Sequence, residues 1–254
     1  MPIVNEEGIK YISIAGNIIF ELFGALSRLV LVGMKTVELD RKIDRMIREH
    51  NAIPTFLNYR GFPGSACISL NDEVVHGIPD DRTIREGDLV KIDVGVTYHG
   101  YIADSARTFP AGHITPTARA LMRETREALK RGIAAALPGN RVGHISRAVQ
   151  EHVERHGYSV VRELTGHGVG KHLHEEPMIP NFVCEGPDPL LKPGMVLAIE
   201  PMVNAGSFDV VTAANGWTIQ SRDRSLSCHF EDTIAILKHG HLNLTRVAET
   251  NYGS

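Results

Sequence analysis

Four carboxylates and one imidazole stand where a strand-forming sequence ordinarily carries apolar side chains. Asp93 and Asp104 fall within "KIDVGVTYHGYIADSART", residues 91 to 108. Glu200 ends the apolar run of "PGMVLAIEPMV", and Glu231, beside Asp232, opens that of "CHFEDTIAIL". His167, in "ELTGHGVGKHLHEEP", is flanked by Gly166 and Gly168, which permit close backbone approach around an imidazole that must be aimed. Taken singly, each has an ordinary reading as a solvated acid or a loop histidine; the five together do not. Alternation in "LVKIDVGV" puts Ile92, Val94 and Val96 on one face and Lys91, Asp93 and Gly95 on the other. A hairpin closing at Tyr98 and His99 would set Asp93 directly opposite Asp104, and a bulge at Gly100 would move that register by one residue. Like charges so placed destabilise a sheet. If all four acids converge, each adjacent ionised pair at ~4 Å repels by roughly 4 kcal/mol at an effective dielectric of about 20. Several such pairs rival the ~5–15 kcal/mol that holds a typical fold together. Either the carboxylates take protons or cations sit among them. Two divalent ions match four carboxylates in charge, and an oxygen-rich set with one nitrogen suits Mn, Fe, Co or Zn in a two-metal cluster better than a thiolate zinc site.

The elements that must position these groups read as helices followed by strands, twice over. From residue 6 to about 31, Ile9, Ile12, Gly16, Ile19, Phe23, Leu26 and Val30 line one helical face. In "TVELDRKIDRMIREHNA", Thr36 is placed to cap a second helix with Leu39, Ile43, Met46 and Ile47 as its stripe, and Pro54 ends it. Strands are expected at about 66–70, 74–78, 89–97 and 101–109. Thr115 then caps a helix with Pro116 at its first position, "LPG" stops it, and "VGHISRAVQEHVERHG" supplies a fourth. Further strands are expected at about 158–163, 195–203, 208–213, 217–221 and 229–237. The order implies an α+β architecture of two helix-helix-strand halves, about 1–112 and 113–254, that would face each other across a cleft, in a chain long enough for one large domain or two small ones.

Composition narrows the function. The 27 Lys and Arg against 30 Asp and Glu give a net charge of −3, without the basic excess that nucleic acid or an anionic membrane would call for. Cys67, Cys184 and Cys228 are odd in number and far apart, which fits a reducing cytoplasm. Asn17, Glu21 and Arg28 interrupt the most apolar early stretch, so it reads as an amphipathic helix and not as a membrane anchor. "GHGVG" lacks the third glycine and the Lys-Ser/Thr pair of a phosphate loop. Cys67 with His76 has no orienting partner for thiol catalysis, and "HGH" at 239–241 reads as solvated tail.

The stretches "YRGFPGSACISLNDEVVHGIP", "KIDVGVTYHGYIADSART", "TGHGVGKHLHEEP", "IEPMVNAG" and "GWTIQSRDRSLSCHFEDT" together resemble the type I methionine aminopeptidases of the pita-bread metallopeptidase family. The interval from His167 to Glu200 is too short for the helical insertion of the type II enzymes. The resemblance implies a single catalytic domain over residues 1–254 with a pita-bread fold, its pseudo-symmetric halves set around a central antiparallel sheet and a dimetal cleft. It implies that Asp93 chelates one divalent ion, Asp104 and Glu231 bridge, and His167 and Glu200 serve the other, with Co, Mn, Fe or Zn as candidate metals. Glu200 then shuttles a proton towards the departing amine, His76 lies near the scissile amide nitrogen, and His174 lies near the carbonyl oxygen. Tyr59, Phe62, Cys67 and Trp217 line an apolar pocket suited to a thioether. Leu173 stands where many relatives carry an aromatic, which alters that pocket.

The implied substrates are methionyl peptides and nascent chains with a small second residue. Any transient ribosome contact would use the domain itself, and a cytoplasmic monomer touching neither nucleic acid nor membrane is expected. A prolidase-like X-Pro peptidase and a non-catalytic binding protein on the same scaffold are the alternatives.

Overall fold

The computed structural model describes residues 2–29 and 31–246. Val30, expected on the first helical stripe, lies outside them. Helix α1, Glu6–Leu26, begins where the Asn5 side chain accepts from the Gly8 N–H at 2.9 Å, and it stops at Leu26, short of the expected end. By length and composition α1 could cross a bilayer, but Ile12, Ile19, Phe23 and Leu26 are fully buried against the sheet beneath. Helix α2, Thr36–Glu49, follows, with Lys35 in the capping position expected for Thr36. Thr36 is the first helical residue, and its hydroxyl donates to the Asp80 carbonyl at 3.0 Å instead.

The strands of the first half are β1 (Ile53–Pro54), β2 (Cys67–Leu70), β3 (Glu73–Val75), β4 (Leu89–Tyr98) and β5 (Tyr101–Pro110). Helices α3, Pro116–Ala135, and α4, Val142–Arg155, come next; the Thr115 side chain caps α3 as expected. The remaining strands are β6 (Ser159–Val160), β7 (Thr165–Gly168), β8 (Glu175–Pro180), β9 (Val196–Ile199), β10 (Met202–Asn204), β11 (Val210–Thr212), β12 (Ile219–Ser221), β13 (Ser227–His229), β14 (Asp232–Ile236) and β15 (His241–Asn243). The "HGH" segment is therefore a turn leading into β15, paired with β14, and not a solvated tail.

Strand β4 pairs with β5 along one edge and with β1 and β2 along the other. A five-stranded sheet runs β15-β14-β9-β7-β8, and two three-stranded sheets run β13-β10-β6 and β11-β12-β3. A bridge between Ala106 of β5 and Glu231, with N–H···O distances of 2.9 and 3.3 Å, joins the first sheet to the second. Helices α1 and α2 cover the β4–β5 side, where Phe23, Ile43, Ile68 and Ile92 share one core. Helices α3 and α4 cover the other side, where Leu129, Val149, Leu197 and Ile234 share a second.

The β4–β5 hairpin corrects one expectation. Its turn is His99–Gly100, with φ of 48° and 78°, and a two-residue turn with both central residues at positive φ fixes the register. Tyr98 pairs with Tyr101, Gly95 with Asp104 and Asp93 with Ala106, so the two aspartates are diagonal neighbours and not directly opposed. Gly95 and Asp93 share a face, so both carboxylates still point the same way. A second correction concerns the long strands expected at 195–203 and 229–237. Each is cut in two, at Glu200–Pro201 and at Phe230–Glu231, and the pieces join different sheets. Glu200 and Glu231 sit at those breaks. Pro201 lacks an N–H for a continuing ladder, which gives the first break a physical reason.

Candidate metal centre

The five expected residues meet at the seam between the two larger sheets. Asp104 is held from behind: its N–H donates to Thr233 Oγ1 at 3.0 Å, and the Thr233 hydroxyl donates back to its carbonyl at 2.7 Å. Its side chain projects into the seam, with Oδ2 at 3.8 Å from His167 Nε2. Glu200 Oε1 lies 3.5 Å from the same nitrogen. Asp104, His167 and Glu231 each offer a ligand atom within 4.8 Å of the others. His167 reaches this point because β7 is squeezed between β8 and β9. A Cβ on Gly166 would come within 2.4 Å of the Ala198 carbonyl oxygen, and one on Gly168 within 2.4 Å of that of Glu176. The His167 Nδ1–H donates to the Gly168 carbonyl at 3.0 Å, which leaves the Nε2 lone pair facing the acids.

The electrostatics are those of acids left with unmatched oxygens. Asp93 Oδ1, Asp104 Oδ1 and Glu231 Oε1 are buried and have no hydrogen-bond partner among the described residues. Burial pushes Asp93 up to about 7 and Glu200 up to about 8. Asp104 and Glu231 are driven well above the usual carboxylate range by burial first and then by the negative charges around them. Burial and the neighbouring His174 pull His167 down to about 3, so its imidazole is neutral and able to ligate. Buried polar atoms are ordinarily paired, and these orphaned oxygens converge with one lone-pair nitrogen. That donor set fits a pair of divalent cations.

The histidines and the apolar wall lie beside this cluster. The His174 ring is 4.3 Å from that of His167, and its Nδ1 is 2.9 Å from the Tyr59 hydroxyl, so Tyr59 orients that histidine. His76 is pulled down to about 4 by burial and by His229 and His174. Phe62, Cys67 and Leu173 are buried in one core, with Tyr59 and Trp217 packed against it. Trp217 meets Phe62 edge-on at 5.2 Å. Cys67 pairs with Asp93 across β2 and β4, which sets the apolar wall against the acids. Burial and Asp93 push the Cys67 thiol well up, so it serves as a soft packing group and not as a nucleophile.

One residue of the cluster escaped the sequence reading. His229 is 1% exposed, and its Nε2 lies 3.5 Å from Glu200 Oε2. The signal was available: a residue two before Glu231 shares its face wherever the chain is extended.

The relation to known proteins follows from this arrangement. A solved methionine aminopeptidase from Rickettsia prowazekii superposes with a TM-score of 0.94 at 38% identity, covering 97% of this chain and all (100%) of that one, so the fold is the pita-bread fold. Methionine aminopeptidase 1 of Bacillus subtilis is 48% identical over 233 residues, 92% of this chain and 94% of the relative. The prolidase from Pyrococcus furiosus superposes less well, with a TM-score of 0.78 at 26% identity, and this chain covers 66% of its length. The sequence model of metallopeptidase family M24 matches residues 10–238, and with the near full-length relatives this establishes that the chain belongs to that family.

Proposed function

We propose that this protein is a metal-dependent aminopeptidase that removes the N-terminal methionine from peptides and nascent chains whose second residue is small. The observation that carries the reading is the meeting of buried acids with unmatched oxygens and a neutral His167 with an apolar wall of Tyr59, Phe62, Cys67, Leu173 and Trp217. Asp93, Asp104, His167, Glu200 and Glu231 would hold two divalent ions, Co, Mn, Fe or Zn. When bound, such ions lower the pKa of water towards ~7 and polarise a carbonyl.

The chain's own groups supply the rest. Glu200 takes the proton of the attacking water and passes it to the departing amine. A Tyr59 hydroxyl that donates to His174 Nδ1 leaves the ring proton on Nε2, from which His174 donates to the scissile carbonyl oxygen as charge develops there. His76, neutral at physiological pH, accepts from the scissile amide N–H. Cys67 and the aromatic wall receive the thioether of the first residue through soft, polarisable contacts. Residues 1–254 act as one catalytic domain. The work is done in the cytoplasm, by a monomer in transient contact with the ribosome as chains emerge.

Purified protein loaded with each ion should release methionine from Met-Ala-Ser and leave Ala-Pro substrates largely intact. A preference for the imide bond would turn the reading towards a prolidase, and no peptidase activity under any ion would turn it towards a binding protein.

A further inference from the structure

His229 is held as firmly as any residue at the seam. Its backbone N–H donates to Thr108 Oγ1 at 3.1 Å, and the same hydroxyl donates to its carbonyl at 2.7 Å, so the ring's origin is fixed from both sides. The ring itself has no such support. It is 1% exposed, and neither Nδ1 nor Nε2 finds a hydrogen-bond partner among the described residues. A buried imidazole with both nitrogens unmatched is a costly feature for a fold that pins its backbone so well.

What the ring faces gives the reason. The Glu200 carboxylate is bracketed by two imidazoles, His167 Nε2 at 3.5 Å from Oε1 and His229 Nε2 at 3.5 Å from Oε2. A separation of 3.5 Å is long for a charge-assisted hydrogen bond. It is close to the ~3.4 Å between two ligands that each sit about 2.1 Å from one ion at a tetrahedral angle. Glu200, His229 and Glu231 also offer ligand atoms within 4.8 Å of one another, as Asp104, His167 and Glu231 do. The His229 ring therefore stands to its acids as the His167 ring stands to its own.

We propose that His229 is a sixth protein ligand of the metal centre, bringing a second imidazole nitrogen to it alongside Glu200 and Glu231. The inference rests on the two-metal reading above and deepens it. A second nitrogen makes the centre more favourable to Fe, Co and Zn relative to Mn, because imidazole suits the later metals and carboxylate suits Mn.

The test is made on the full chain, stripped with a chelator and reloaded with cobalt(II) or zinc(II). His229→Gln and His229→Ala should each weaken the binding of one cobalt ion at least tenfold and shift the visible d–d bands, while manganese affinity changes less. Nitrogen-15 NMR of the wild-type zinc-loaded protein should show two metal-bound imidazoles, a readout that does not depend on any variant folding. If the wild type binds two cobalt ions but shows one bound imidazole, or the variants keep its spectrum and affinity, the assignment of His229 is overturned while the metal centre stands. If the wild type binds no cobalt tightly, the two-metal reading itself fails, and His229 with it.

Discussion

Glu231 and Asp232 are neighbours in sequence, 2% and 6% exposed, and the protein treats them in opposite ways. Asp232 faces away from the seam, and both its oxygens are matched: Oδ1 by Arg107 and by the Thr245 hydroxyl at 3.1 Å, Oδ2 by the Asn243 amide at 2.8 Å. Glu231 faces the seam, and its Oε1 has no hydrogen-bond partner among the described residues. The same contrast appears between α3 and α4, where Glu124 is held by Arg123 at 2.7 Å and His152 at 3.0 Å and lies below the usual carboxylate range. This fold can satisfy a buried acid with its own side chains. Where it leaves several unsatisfied in one place, it has reserved them for something it does not itself supply.

The sharpest way to break that contrast is to neutralise each neighbour in turn. Glu231→Gln should cost on the order of a thousandfold in kcat/KM, equivalent to about 4 kcal/mol of lost transition-state stabilisation. In chelated protein it should leave the denaturation midpoint unchanged or raised, since it replaces a buried acid whose ionised form is disfavoured there. Asp232→Asn should do the reverse, lowering stability by ~3–5 kcal/mol because it strands the buried Arg107 guanidinium, while folded molecules keep most of their turnover. Equal effects of the two substitutions on activity and stability would dissolve the distinction.

A change of pH should sharpen it further. In chelated protein the seam carboxylates bind protons that the unfolded chain has already lost, because their folded pKa values are raised, with Glu200 near 8. Their contribution to stability is therefore complete below the ordinary carboxylate range and is lost as pH rises towards about 8. Loading with divalent ions should abolish that decline by holding the same groups ionised. Urea midpoints measured across this range, with and without metal, read the difference directly. The smallest effect belongs to the edge of the site: Tyr59→Phe removes one hydrogen bond to His174 and should lower kcat/KM by about fivefold, roughly 1 kcal/mol, with stability nearly unchanged.

The chemistry of the seam was more legible in the sequence than its geometry. Asp93, Asp104, Glu200 and Glu231 stood out because a carboxylate in an apolar run is locally conspicuous, and the glycines around His167 advertised a tight approach. The hairpin register was not legible, since it depends on whether the turn falls on Tyr98–His99 or His99–Gly100, and only the folded backbone shows positive φ at the latter pair. Nor were the strand breaks beside Glu200 and Glu231, because an apolar run does not record that its two ends join different sheets. Strand β7, Thr165–Gly168, went unseen because "TGHG" carries neither alternation nor branched side chains. His229 was missed although its spacing, two residues before Glu231, was there to be read, because a lone histidine in "SCHFEDT" looks ordinary until Glu231 is known to face the seam.

The central claim is that this seam exists to hold two divalent cations. Metal analysis of the purified protein, paired with methionine release before stripping, after exhaustive chelation and after reloading, tests it most directly. The account predicts two ions per chain, loss of release on stripping and its return with Co, Mn, Fe or Zn; undiminished release from thoroughly chelated protein would contradict it.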